Sequence, residues 1–190
     1  RIDPAENFQN LLEFPKYIEI ETVNACNARC PMCTINDWER NYPVMRDNVF
    51  NKISDELIEY KKYLKRVSLY RDGEPLIDKK LPQRINKFFE NGISNTSIAT
   101  NVSLLNEKKS REILEAGLGL VIMSIDSLKK DVFEKIRVRL DFETVKQNAI
   151  KFLELRDKIN PNCRVWIRMI RQEENKNEWE DYYKFWSKYA

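Results

Sequence analysis

Three cysteines crowd into one short stretch, Cys26-Asn27-Ala28-Arg29-Cys30-Pro31-Met32-Cys33. They are separated by three residues and then by two. Pro31 fixes its own φ and steers Cys30 away from helical backbone, so the stretch reads as a loop. A loop this tight aims all three sulfurs at one small object. Tetrahedral zinc takes four ligands and usually draws them as two closely spaced pairs. This chain has no histidine, and its one other cysteine, Cys163, lies far downstream. A four-iron cubane cluster held by three local thiolates keeps one iron without a protein sulfur. An open metal position is what a catalyst needs. Three idle surface thiols, or a zinc site short of one ligand, are the competing readings.

The missing histidines also exclude Ser-His-Asp hydrolysis, histidine general-base chemistry and histidine-ligated metals within this segment. The 190 residues suffice for one sizeable core and about one domain. With 33 basic and 30 acidic residues the charge is too balanced to argue for a nucleic-acid partner. No apolar run approaches a membrane span and no signal peptide is visible. Four cysteines in a chain of this size do not make a disulfide scaffold. A cytoplasmic, reducing location and no membrane contact are expected.

Residues 1–16 read as a lead-in, with Pro4 and Pro15 as breakers. Tyr17 to Thr22 alternates with period two, a strand signal, and the cysteine loop follows at its C-terminal end. Residues 34–50 read as irregular. Ser54 is placed to cap a helix running to Tyr63. A second strand covers Arg66–Tyr70 and breaks at Asp72-Gly73-Glu74-Pro75. Helix 82–91 stops at Asn91-Gly92. A third strand, Asn95–Asn101, precedes helix 107–116, which Gly117 ends. The fourth strand runs Leu120–Asp126. Helices over 129–136 and 142–158 lead to a fifth strand, Cys163–Ile170, and a last helix over 178–189. Strands alternating with helices predict an α/β fold with a parallel sheet and right-handed crossovers. Five β–α units are present. Alternation on strand one sends Ile18 and Ile20 outward and Glu19 and Glu21 inward. Strand five puts Arg164, Trp166 and Arg168 on one face, and Ile167 and Met169 on the other. An inner face with carboxylates and guanidiniums suits a polar substrate.

Ligands of such sheets bind at the C-terminal strand ends, and the unusual residues all fall there. Cys26-x₃-Cys30-x₂-Cys33 resembles the signature of the radical S-adenosylmethionine (SAM) superfamily. Gly73-Glu74-Pro75 after strand two resembles its Gly-Gly-Glu-Pro motif, with Asp72 in place of the first glycine. Thr100-Asn101-Val102-Ser103-Leu104-Leu105 is similar to its Thr-Asn-Gly-x-Leu-Leu, with Val102 for glycine. Ser124-Ile125-Asp126-Ser127 is similar to its Ser-Ile-Asp-Gly.

The resemblance implies a definite chemistry. Cys26, Cys30 and Cys33 would hold a [4Fe–4S] cluster whose fourth iron takes the amino and carboxylate groups of SAM. One electron from flavodoxin or ferredoxin would cleave SAM, and a 5′-deoxyadenosyl radical would take hydrogen from a small polar or peptide substrate. Gly73 and Glu74 would meet the SAM amino group. Ser124 and Arg137 would hold its carboxylate. Met32 would meet adenine, Thr100, Asn101 and Asp126 would line the site, and apolar residues of strand five would flank adenine. Arg139 stands where related chains often carry a small residue.

The implied fold is an open partial (β/α) barrel of six units. Residues 17–190 would then be its N-terminal portion, with the sixth strand missing from this chain. Many relatives add a C-terminal domain with further clusters, called SPASM or twitch, which would lie beyond residue 190. A non-catalytic module holding zinc or a structural cluster is the alternative. The substrate and the reaction outcome cannot be read from these motifs.

Overall fold

The computed structural model describes residues 14–37 and 43–189. Five strands form one sheet: β1 (Tyr17–Glu19), β2 (Arg66–Ser68), β3 (Thr96–Thr100), β4 (Leu120–Ser124) and β5 (Arg164–Arg168). They lie side by side in chain order, and every neighbouring pair is parallel. All strand C-termini therefore point one way. Unbroken sequential order is that of a barrel wall; a doubly wound sheet reverses direction at a switch point. An α/β partial barrel with five parallel strands is the expected architecture. β5 ends the sheet.

Pairing across the ladder sorts the two faces. Glu19, Ser68, Ser97, Leu120 and Arg164 are successive partners in one row. This face is largely polar, and Ser97 Oγ donates to Ser68 Oγ at 3.0 Å. Ile20, Leu69, Ile98 and Val121 belong to the buried core. Ile18 packs against that core while Glu19 is exposed, as alternation requires. Helices supply the other half of the core. α2 (Leu81–Glu90) contributes Ile85 and Phe88, α3 (Glu107–Glu115) Ile113 and Leu114, and α5 (Phe142–Ile159) Val145, Ala149 and Phe152. Burying a side chain such as Phe152 stabilises by about 2–3 kcal/mol.

Local signals explain most boundaries. Asn106 caps α3 by accepting from Lys109 N at 3.0 Å, and Asp141 caps α5 by accepting from Thr144 N at 2.8 Å. Gly117 closes α3 at φ 84°, and Leu118 N returns to Ile113 O at 3.2 Å. The first helix departs from expectation. α1 spans Asp47–Glu59, so Ser54 lies inside it, buried, with Oγ donating to Asn51 O at 3.0 Å. No side chain caps α1. Its start is set by the buried stripe Phe50, Ser54, Leu57, which has helical spacing. The lead-in expected over 1–16 lies, up to residue 13, outside the described residues.

Beyond β5 the chain turns back over the sheet. α4 (Lys130–Ile136) lies before α5, and α6 (Trp179–Trp186) follows β5. Tyr182 of α6 donates its hydroxyl to Ile125 O at 2.6 Å. Val165, Ile167 and Met169 pack against the core, so this face of β5 turns away from the polar row. No described helix is long and apolar enough to cross a membrane.

Among the described residues, two non-glycine residues occupy left-handed backbone, Val102 at φ 69° and Arg139 at φ 74°. Both are positions where the motif resemblance noted a small residue in relatives. A side chain there costs about 1–2 kcal/mol. Val102 is fully buried and recovers that cost by packing. Arg139 is exposed and does not. Arg139→Gly is therefore expected to raise unfolding stability by about 1 kcal/mol, the strain relief less the added freedom of the unfolded chain. An unchanged or lower urea midpoint would contradict this.

Candidate active site

A cavity of about 280 Å³ opens at the C-terminal ends of the strands. Cys26, Cys30 and Cys33 all line it. The loop that carries them is held by distant backbone: Arg29 N donates to Val138 O at 3.0 Å, and Glu74 N to Ala25 O at 2.8 Å. Among the described residues, no three His, Cys, Asp or Glu side chains are grouped tightly enough to grip one ion. Met32 is 38% exposed on the same rim.

Gly73 and Glu74 both line the cavity. A Cβ on Gly73 would lie 2.0 Å from Val23 O. The glycine thus permits close approach to the backbone of the segment that leads into the cysteine loop. Glu21 grips the same turn: its Oε1 accepts from Asp72 N at 3.0 Å and from Gly73 N at 3.3 Å. Glu21 is thus tied to the turn after β2. Glu74 is buried, and its carboxylate accepts from Thr100 Oγ1 at 2.7 Å, Asn101 N at 2.8 Å and Leu76 N at 3.2 Å. Burial pushes its pKa up, and those three donors pull it back. Glu74 therefore bolts the β2 turn to the end of β3; its side chain is not available to an ammonium group.

Thr100 and Asn101 both reach the cavity. Thr100 Oγ1 also accepts from Val102 N at 3.0 Å, and the left-handed Val102 turns the chain there. Asn148 of α5 clamps the turn by donating to Val102 O at 3.0 Å. Asn101 Nδ2 is 3.8 Å from Cys26 Sγ and 2.9 Å from Asn27 Oδ1.

At the ends of β4 and β5, Ser124 and Arg137 both line the cavity. Asp126, expected at the cofactor, is fully buried and lies outside the cavity lining. Its Oδ2 accepts from Arg137 Nε at 2.5 Å and its Oδ1 from Ile170 N at 2.7 Å. Arg137 lines the cavity but points Nη1 at Cys30 Sγ, 3.7 Å away. Ser124 is instead approached by Arg168, whose Nη2 donates to Ser124 Oγ at 3.3 Å. The ladder makes this pair, since Ser124 and Arg168 are register partners. Among the described residues Arg168 has no carboxylate partner. Arg71, also on the rim, is answered by Glu19 at 3.3 Å and Asp72 at 3.6 Å. Arg168 lines the cavity from β5 and Ile170 from just after it; Ile167 and Met169 pack against the core on the other face.

Burial pushes the thiols of Cys26 and Cys30 up, and the Arg137 charge draws Cys30 back down. Thiols like these bind metal by releasing protons, so a nearby guanidinium favours loading. Cys163 sits far away in the core at 1% exposure, its pKa pushed up to about 12 by burial. It behaves as a small apolar side chain.

The profile of the Radical SAM superfamily matches residues 20–185, most of the chain. The chain belongs to the radical SAM superfamily. A [4Fe–4S] cluster and SAM are the cofactors of radical SAM proteins. Among curated radical SAM relatives, the GTP 3′,8-cyclase of Clostridium botulinum is 30% identical over 150 residues, which is 73% of this chain and 44% of that one. The tungsten-containing aldehyde ferredoxin oxidoreductase cofactor-modifying protein of Pyrococcus furiosus is 31% identical over 113 residues, 60% of this chain and 31% of that one. In solved structures, anSMEcpe with bound AdoMet superposes with a TM-score of 0.69 at 21% identity, covering 92% of this chain and 49% of that one. SuiB of Streptococcus suis bound to S-adenosylmethionine gives 0.66 at 18% identity, covering 92% and 39%. The chain thus spans less than half the length of these radical SAM proteins.

Proposed function

We propose that this chain is the SAM-cleaving portion, over residues 17–190, of a radical SAM enzyme acting on a small polar or peptide substrate. The observation that carries it is the convergence of three cysteines, an unpaired arginine and a serine hydroxyl on one cavity at the strand ends. Cys26, Cys30 and Cys33 hold the cluster. Cluster and SAM together supply a one-electron cleavage that yields a hydrogen-abstracting adenosyl radical. The remaining roles belong to the protein. The turn at Asp72-Gly73, steadied by Glu21, presents backbone to the SAM amino group. Thr100 and Asn101 close one wall, and Met32 and Ile170 offer apolar surface to adenine. Glu19, Arg71 and Trp166 stand on the open inner face and suit a polar substrate. The electron comes from a flavodoxin- or ferredoxin-like donor, which places the protein in a reducing, cytoplasmic setting.

Arg168 takes over the carboxylate role first expected of Arg137. A hydroxyl and a guanidinium side by side, the latter lacking a counter-ion, form a carboxylate cradle. A charge-assisted hydrogen bond is worth about 1.5–3 kcal/mol, or roughly 10- to 100-fold in affinity. Arg168→Met is expected to weaken SAM binding by that factor in equilibrium dialysis and to leave iron content unchanged. Full SAM affinity in the variant would rule Arg168 out.

The reading as a whole is tested by anaerobic reconstitution. A brown protein with about four irons per chain that cleaves SAM under dithionite supports it. A colourless protein that takes one zinc and ignores SAM supports the non-catalytic module. The catalytic character of the relatives favours the enzyme.

A further inference from the structure

The cavity wall also bears on how easily the cluster accepts its electron. Cys26 Sγ receives Ala28 N at 3.4 Å and Asn101 Nδ2 at 3.8 Å. Cys30 Sγ receives the Arg137 guanidinium at 3.7 Å. Cys33 Sγ has no N–H donor among the described residues. We infer that Asn101 and Arg137 are hydrogen-bond donors to the ligand sulfurs, tuning the reduction potential of the cluster upward. The inference rests on the cluster-and-SAM reading above.

Both donors are aimed by other bonds. Asn101 Oδ1 accepts from Ser103 N at 3.0 Å and Ser103 Oγ at 2.7 Å. Its Nδ2 also donates to Asn27 Oδ1 at 2.9 Å. Rotating the amide would set its oxygen against both Asn27 Oδ1 and the sulfur and would strand the two Ser103 donors. The orientation is thus fixed by the network. Arg137 is held through Nε by Asp126, whose other oxygen is bound to Ile170 N. With Nε occupied, Nη1 is left facing Cys30.

The electrostatics follow from charge counting. Reduction adds one electron from an external one-electron reductant, with no proton and no bond made or broken. The added negative charge is shared by the thiolate sulfurs. N–H donors and a cation stabilise the more negative state more than the less negative one, so the potential rises. Arg137 carries a full charge and has the larger effect; Asn101 offers only a dipole. Cys33 lacks both, so the polarisation of the three ligands is unequal.

The test is a potentiometric titration of the reconstituted chain without SAM, followed by EPR of the reduced cluster. Arg137→Gln and Asn101→Leu are both expected to titrate at more negative potential than the wild type, Arg137→Gln by more. Arg137→Lys, which keeps the charge, recovers part of the shift. A purely structural role would change how much iron each variant holds and leave the midpoint of the loaded fraction in place. Unmoved midpoints overturn the inference and leave the SAM reading intact. A wild-type chain that takes up no cluster overturns both. Wild-type protein grown on guanidino-¹⁵N arginine gives an answer even if the variants fail to fold. Its reduced cluster is expected to show nitrogen coupling in pulsed EPR, and a spectrum without it overturns the inference.

Discussion

Cys30→Ala is expected to abolish SAM cleavage and iron binding while the protein stays folded. Cys30 is the most buried of the three loop cysteines, at 5% exposure, and lies opposite Arg137. Removing it takes away one of the three ligands proposed for the cluster, and among the described residues no spare thiol lies nearby, since Cys163 is sealed in the core. Two thiolates and a guanidinium do not hold a cubane. The metal-free fold has less at stake. Losing a small buried thiol costs about 1 kcal/mol. Circular dichroism near that of the wild type, together with iron at background and no 5′-deoxyadenosine, is the expected pair of results. A variant that kept its iron and its turnover would mean that another group completes the site.

Gly73→Ala is expected to be the most damaging single substitution away from the cysteines. The new Cβ would meet Val23 O at 2.0 Å, Val23 C at 2.9 Å and Ala25 O at 3.1 Å. All three are backbone atoms, so no side chain can swing aside. The turn must move off the cysteine-bearing segment, which breaks the bond from Glu74 N to Ala25 O and loosens Glu21 from Asp72 and Gly73. Overpacking against soft neighbours costs about 1–3 kcal/mol, and rigid backbone places this case at or above the upper end. Urea unfolding of the metal-free protein measures it, and reconstituted iron content should fall in parallel. Gly92 makes a useful contrast: a Cβ there meets only Lys61 Nζ at 3.4 Å, and the cost is the φ of 84° alone. Gly92→Ala should cost about 1 kcal/mol and spare iron binding.

The contrast between these glycines shows what the chain's text discloses. The alternation of strand and helix, the helix starts at 107 and 142, and the closure at Gly117 are local, so pattern and turn chemistry reveal them. The cysteine loop is local as well. The parts that escaped are bonds between residues far apart in sequence. Arg168 reaches Ser124 because β4 and β5 are in register, a fact that no window of neighbouring residues contains. Asp126 was legible as a motif residue but not as the anchor of Arg137. Motif and alternation put Glu74 and Glu21 near the site, but neither signal shows that Glu74 accepts from Thr100 and Asn101, or Glu21 from Asp72 and Gly73. α1 began earlier than expected because tertiary packing of Phe50 set its start in place of a capping side chain. Burial decides such cases, and burial is a property of the fold.

The tethers of the cysteine loop have a bearing on damage by oxygen. Its backbone is pinned to Val138 on one side and to Glu74 on the other by bonds that involve no metal. A molecule stripped of iron in air would therefore keep its receptacle in shape. Refilling it is then a repair, accomplished by iron, sulfide and a reductant without unfolding the chain.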